Sequence, residues 1–337
     1  MCSLGKIYSH VNLQVSLAHP GGSTHPDPYP YYAALVAGLA LVFDAPRGLW
    51  IASSAAAVRA VLGNAACQVR PLTEPVPQAL LRCAAGEVFG HLVRMNDGAL
   101  HTAPKLALQR FLAALDLEHI SARTQALALE AAKRQPLHGC ALTRWTLDVP
   151  VMAVADLPGV DEASVPRLAG WMADFVACLS PLSTQTELAA ASLAANALLE
   201  RFAELLRSSA LRPGSAIEKL RFEAAQVGWT DARALLCNLI GLLSQTCEAT
   251  AGVIGNSLTA LATQPGLRET VARDPGMLLP LVREVSRHDS SIHNTRRFVT
   301  EDTRVAGLRL QAGDAIVLVL TAASRDPLHH PRPEIFA

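Results

Sequence analysis

Two groups of residues in this 337-residue chain have types and spacings that could do chemistry. Ser244, Gln245, Thr246, Glu248 and Thr250 crowd into one short stretch behind Leu235, Leu236, Leu239, Ile240, Leu242 and Leu243. Hydroxyls, an amide and a carboxyl so placed can hold water, bind a ligand or pass a proton. Buried without partners they would cost free energy. The alternative is that each bonds only to its own helix. Glu284 and Arg287 are the second group. Three apart on a helix, they share a face and can pair, although an exposed pair contributes only about 0–1 kcal/mol.

The elements that must position these groups are mainly helical. Apolar residues recur every three or four positions over Ala103–Leu115, Ser121–Ala132 and Leu188–Ser209, which predicts helices. The longest predicted helix runs from about Thr230 to Thr263. Thr230 or Asp231 can cap it, Gln264-Pro265-Gly266 ends it, and it is roughly 50 Å long. Apolar on most sides, it belongs in the core with the polar stretch at its middle. A helix from about Gly276 to His288 carries Glu284 and Arg287. Pro28 to Leu35 starts another, with prolines at its head. Strands are expected at Ala40–Phe43 and Leu49–Ala52, and a hairpin at Val305–Leu320 turning at Gln311–Asp314. Pro150, Leu157-Pro158-Gly159 and Arg212-Pro213-Gly214 read as breakers. The fold class is mainly α with a small β part: a flexible arm over residues 1–24, then one large domain over 25–337.

Composition excludes several classes. Lys and Arg total 29 and Asp and Glu total 29, so there is no basic excess of the kind nucleic acid requires. Only 17% of residues are charged and 50% are hydrophobic, which excludes general disorder. The cysteines, Cys2, Cys67, Cys83, Cys140, Cys178, Cys237 and Cys247, are odd in number and contain no C-x-x-C, which fits reduced thiols. The first residues have no apolar signal core, and Ala33–Phe43 is too short for the roughly 20 residues of a membrane span. The expectation is a cytoplasmic protein with neither a membrane nor a nucleic acid as partner.

Several segments, in order, resemble the bacterial class of cytochrome P450. Leu-Leu-Ser-Gln-Thr-Cys-Glu-Ala-Thr-Ala-Gly-Val-Ile-Gly-Asn at 242–256 is similar to that family's oxygen-binding helix. Glu284-Val-Ser-Arg287 matches its E-x-x-R. Thr295-Arg-Arg-Phe-Val-Thr-Glu-Asp302 and Gln311-Ala-Gly-Asp314 match its next strands, and Ala322-Ala-Ser-Arg-Asp-Pro327 its A-N-R-D-P turn. Upstream, Pro28-Tyr-Pro-Tyr-Tyr32, Leu49-Trp-Ile51 and Met95-Asn-Asp-Gly-Ala-Leu-His101 fit its early elements.

The resemblance implies a P450-like fold, a heme cofactor, and roles for particular residues. Glu284 and Arg287 would be a buried structural pair, with Ile335 of Pro333-Glu-Ile-Phe336 standing where the family has a third member, Arg. Arg297 would bind a heme propionate, as would His101 and Lys105, the last in place of an Arg and without its bidentate fork. In the oxygen-side helix the proton-relay positions read Thr246, Glu248, Ala249 and Thr250. The acid is kept, the usual hydroxyl position is Ala249, and the usual Gly is Thr246. The family continues into F-x-x-G-x-x-x-C-x-G, whose Cys holds the iron. This sequence stops at Phe336-Ala337, so the expectation is a C-terminally truncated chain with no turnover of its own.

The implied function is oxidation of a small hydrophobic molecule with O2 and electrons from a ferredoxin-type partner. The alternative is a heme-free auxiliary protein of the same lineage, for example one that partners a glycosyltransferase.

Overall fold

A computed structural model describes residues 25, 27–134, 136–180, 183–209 and 215–337, and the side chains of Glu162, Ser208, Ser209 and Glu248 lie outside the description. The arm expected over residues 1–24 and the breaker at 212–214 also lie outside it. In chain order the elements are α1 (Tyr29–Ala37), β1 (Leu41–Asp44), β2 (Leu49–Ala52), α2 (Ala55–Leu62), β3 (Cys67–Gln68), α3 (Ala84–His91), α4 (Ala99–Ala113), α5 (Leu117–Arg134), α6 (Cys140–Asp156) and α7 (Val165–Ala177). They continue with α8 (Gln185–Ser209), α9 (Ala216–Gln226), α10 (Ala232–Thr263), α11 (Leu267–Arg273), α12 (Leu278–His288), β4 (Asn294–Val299), β5 (Thr303–Val305), β6 (Leu308–Leu310), β7 (Ala315–Val319) and α13 (Leu320–Ser324). The described residues divide into two compact units, 74–251 and a second made of residues up to 73 with 252–337.

Residues 74–251 form a helical unit. Its core contains Leu92, Phe111, Leu168, Met172, Phe175, Leu198, Phe202, Leu220 and Ile240. The first turn of α10 is capped by Asp231, whose Oδ1 accepts from the N–H groups of Arg233 and Ala234 at 2.9 and 3.0 Å. One turn on, buried Asn238 fastens α10 to the end of α3 and the segment after it. Its Oδ1 accepts from Val93 N–H at 2.9 Å and its Nδ2 donates to the His91 carbonyl at 2.7 Å. Gly241 faces the same segment so closely that a Cβ there would lie 2.7 Å from Leu92 Cδ2. Pro150 is not a breaker: it sits inside α6. Val149, Val151, Met152 and Ala155 are buried around it, and their packing offsets the single backbone bond that proline removes. The expected break at Leu157-Pro158-Gly159 does end α6, with Gly159 at φ +83°.

The second unit is built on a five-stranded sheet of order β1-β2-β7-β4-β3, in which only β2 and β7 run parallel. One face packs Leu41, Val58, Val61, Ile316 and Leu318, the other Tyr31, Tyr32, Ile51, Val317 and Val319. Buried Asp326 accepts from Ala55 N–H at 2.9 Å, at the start of α2, and from Leu328 N–H at 3.0 Å. The hairpin expected over Val305–Leu320 is replaced by a different pairing. β5 pairs with β6 around Ala306 and Gly307, at φ +48° and +83°, while β7 lies between β2 and β4. Two consecutive positive φ values match the twist of a tight hairpin, and they place its turn five residues earlier than the Gln311–Asp314 signal.

Candidate active site

The E-x-x-R pair lies in the second unit on α12, where Leu281 and Val285 face inward and fix the orientation of the helix. Arg287 Nε and Nη2 donate to the two Glu284 carboxylate oxygens at 2.8 and 2.5 Å, and both side chains are 14% exposed. The tail of the chain closes over the pair. Arg287 Nη1 donates to the Pro333 carbonyl at 3.0 Å, Nη2 donates to the Ile335 carbonyl at 2.8 Å, and Ala337 N–H donates to Glu284 Oε1 at 2.9 Å. His288 Nε2 meets the Glu334 carbonyl at 3.0 Å, and Phe336 packs edge-on against the His288 ring. Main-chain carbonyls thus surround the guanidinium where sequence comparison sees only Ile335 in place of an arginine. Burial pushes the Glu284 carboxyl up, but the Arg287 guanidinium and the Ala337 N–H outweigh it and leave the group below the usual carboxylate range.

Along α10 the polar stretch bonds to its own helix. Buried Ser244 Oγ donates to the Gly241 carbonyl at 3.0 Å, Gln245 Nε2 donates to the same carbonyl at 3.1 Å, and Thr246 Oγ1 donates to the Leu242 carbonyl at 2.7 Å. A hydroxyl that gives its hydrogen to a carbonyl one turn back keeps only lone pairs for a ligand. Ala249 and Thr250 are half-buried in the same helix, and the Glu248 side chain lies outside the description.

The candidate anion-binding residues are placed as follows. His101 and Lys105 lie one turn apart on α4 in the helical unit. Burial, then the Lys105 charge, pushes the His101 ring below the usual histidine range, with Asp97 opposing. Arg297 lies in the other unit on β4, opposite Ile316, and its Nη1 donates to the Arg296 carbonyl at 2.7 Å. Sequence reasoning passed over its neighbour. Arg296 Nε is buried with no hydrogen-bond partner, and burial followed by the nearby Arg70 charge depresses its guanidinium pKa. The doublet of arginines was the only signal in the sequence, since composition does not say which of two adjacent strand residues turns inward.

Comparison with known proteins places this geometry. No family model matches the chain. It is 26% identical over 188 residues to cytochrome P450 144 of Mycobacterium tuberculosis, a match covering 56% of this chain and 43% of that protein. A beta-dihydromenaquinone-9 omega-hydroxylase of Mycobacterium bovis is 26% identical over 325 residues, which is 92% of this chain and 62% of the relative. The chain therefore spans less than two thirds of the length of these curated relatives. Among solved structures, CalO2 superposes with a TM-score of 0.79 at 21% identity, covering 92% of this chain and 79% of that one. The chain is similar in sequence to cytochrome P450s and shares their fold.

Likeness to P450s implies heme, and the residues of this chain can be tested against it. A buried guanidinium nitrogen without a partner, on Arg296, fits the carboxylate side of such a group. The iron side does not fit the described cysteines. Burial raises the Cys67 thiol against the opposing charge of Arg297, and it pushes Cys178 and Cys237 up to about 12. Cys83 Sγ donates to the Leu80 carbonyl at 3.2 Å, Cys247 is packed in the helical core, and Cys140 is exposed at the start of α6. None is poised as a buried thiolate. Among the described residues no cluster of three or more His, Cys, Asp or Glu side chains could hold a metal, and no helix is long and apolar enough to cross a membrane.

Proposed function

We propose that these residues are the scaffold of a heme-thiolate monooxygenase that oxidises a small hydrophobic molecule, drawing electrons from a ferredoxin-type partner. In the same reading, residues 25–337 belong to one P450 domain, and the sulfur that ligates iron is not among the described cysteines. The observation that carries the lineage is the clasp of Glu284 and Arg287 by residues 333–337. A pair this well satisfied serves folding rather than catalysis.

When bound, heme supplies the iron at which dioxygen is activated. Within the helical unit, His101 and Lys105 on α4 would hold a carboxylate of that group. At neutral pH the depressed His101 ring donates as a neutral imidazole, leaving Lys105 as the charged member of the two. Thr246 Oγ1 accepts a hydrogen bond from a ligand while its own hydrogen stays on the Leu242 carbonyl. Glu248 is the residue of this stretch able to release a proton.

The test is the visible spectrum of residues 1–337 reconstituted with heme, reduced and exposed to carbon monoxide. The expected result is heme uptake without a thiolate-type Soret band. A thiolate band would refute the ligand reading. Failure to take up any heme would favour the auxiliary-protein alternative, which is also consistent with Ala249 at the usual hydroxyl position and with the inward-bonded Thr246.

A further inference from the structure

We infer that Tyr32 and His293 form a redox-active pair, in which the Tyr32 phenol gives one electron to a small-radical oxidant while its proton crosses to His293 Nδ1. The step involves no heme and stands apart from the P450 reading. Three of the chain's four tyrosines lie on α1, in the unit that holds the sheet. The Tyr32 ring centre is 5.7 Å from that of Tyr31 and 6.1 Å from that of Tyr29. Tyr32 is 1% exposed, and its hydroxyl lies 2.8 Å from His293 Nδ1, on the segment leading into β4. A phenol is a far stronger acid than the N–H of a neutral imidazole, so the phenol is assigned as the donor.

Losing an electron turns a phenol into a very strong acid, and a buried ring sealed from water must pass that proton to a neighbour. His293 is suited to receive it. Burial holds its ring below the usual histidine range, so it is neutral at pH 7, while the Asp289 charge and the Ser290 main chain favour the cation that forms. The balance is complete: a phenol, an imidazole and an oxidising radical become a phenoxyl radical, an imidazolium and the anion of the oxidant. Tyr29 is a poorer seat for the radical. Its hydroxyl donates to Asp289 Oδ1, but the Arg325 guanidinium lies 3.6 Å from its ring centre, and a cation on that face opposes removal of an electron.

The experiment generates azide radicals by pulse radiolysis in a solution of residues 1–337. Tyrosyl radical is followed by absorption and electron paramagnetic resonance in wild type, Tyr32→Phe, Tyr29→Phe and His293→Leu. Wild type is expected to give a persistent tyrosyl radical whose formation slows in D2O. Its lifetime should fall by about tenfold or more in Tyr32→Phe and in His293→Leu, and change by less than about twofold in Tyr29→Phe. Wild type carrying histidine labelled with heavy nitrogen needs no substitution and no refolding: its radical should couple to an imidazole nitrogen, as the Tyr32–His293 bond requires. A radical without that coupling, an equal lifetime in Tyr32→Phe, or a lifetime lost in Tyr29→Phe alone overturns the inference. So does His293→Leu if it lowers the melting temperature and leaves the decay unchanged, which is what a merely structural bond would do. Absence of any persistent radical in wild type overturns it outright.

Discussion

Arg287 directs its guanidinium at groups 3, 46 and 48 residues away, whereas Ser244, Gln245 and Thr246 each bond a carbonyl three or four residues back in the same helix. Both regions satisfy polar groups of buried or half-buried residues, Gln245 alone of those named being exposed. The first ties distant segments together, so losing one member strands the others. The second is self-contained, so its members can change with little effect on the rest. The residues that match the P450 pattern most closely, Glu284 and Arg287, are those of the first kind. The stretch that departs from it, at Thr246 and Ala249, is of the second kind.

The contrast breaks down most readily at Arg287. Arg287→Ala leaves the Glu284 carboxylate buried without its partner and is expected to destabilise the protein by about 3 kcal/mol, read from urea unfolding. A cost below about 1 kcal/mol would make the clasp no more important than an exposed pair. Next in size is Gly252→Val on α10, where even a Cβ would lie 2.5 Å from Ser291 Cβ, and a loss of about 1–3 kcal/mol in thermal melts is expected. Acid should act more weakly. The Glu284 pKa is lower in the folded than in the unfolded state, so its stabilisation is fully present above about pH 4.3 and declines as pH falls through the lower folded value. Burial depresses His288 and His293 below the usual histidine range, so stability also falls with pH once the unfolded histidines begin to protonate near about pH 6.5. Unfolding midpoints that do not decline from pH 8 to 5 would contradict the histidine assignments, and midpoints that stay level from pH 5 to 2 would contradict the one for Glu284. The smallest effect belongs to Thr246→Val, below about 1 kcal/mol, because only a bond to its own helix is lost. A larger loss would mean that the polar stretch reaches beyond α10.

The sequence made some of this legible because the signals are local. Asp231 and the Gln264-Pro265-Gly266 stop bound α10 to within two residues, and Leu49–Ala52 is a strand at its expected limits. What it hid depends on distant partners. The 305–320 segment carries two turn signals, and only the slot for β7 between β2 and β4 decides that Ala306-Gly307 makes the hairpin. Pro150 reads as a breaker until the burial around α6 is known. The acceptors for Arg287 are main-chain carbonyls, which have no letter in a sequence, so Ile335 looked like a missing contact when its backbone supplies one.

The parallel pairing of β2 with β7 has a consequence for synthesis of the chain. Leu49–Ala52 cannot find their neighbours Ala315–Leu318 until most of the polypeptide has left the ribosome, while residues 74–251 form a contiguous stretch that holds its own core. The helical part can condense during translation, and the β1–β2 hairpin must wait with the second edge of β2 unpaired, at about 5–20 residues per second, for roughly a quarter of a minute or more. During that interval the open edge of β2 is the segment a chaperone would most need to shield.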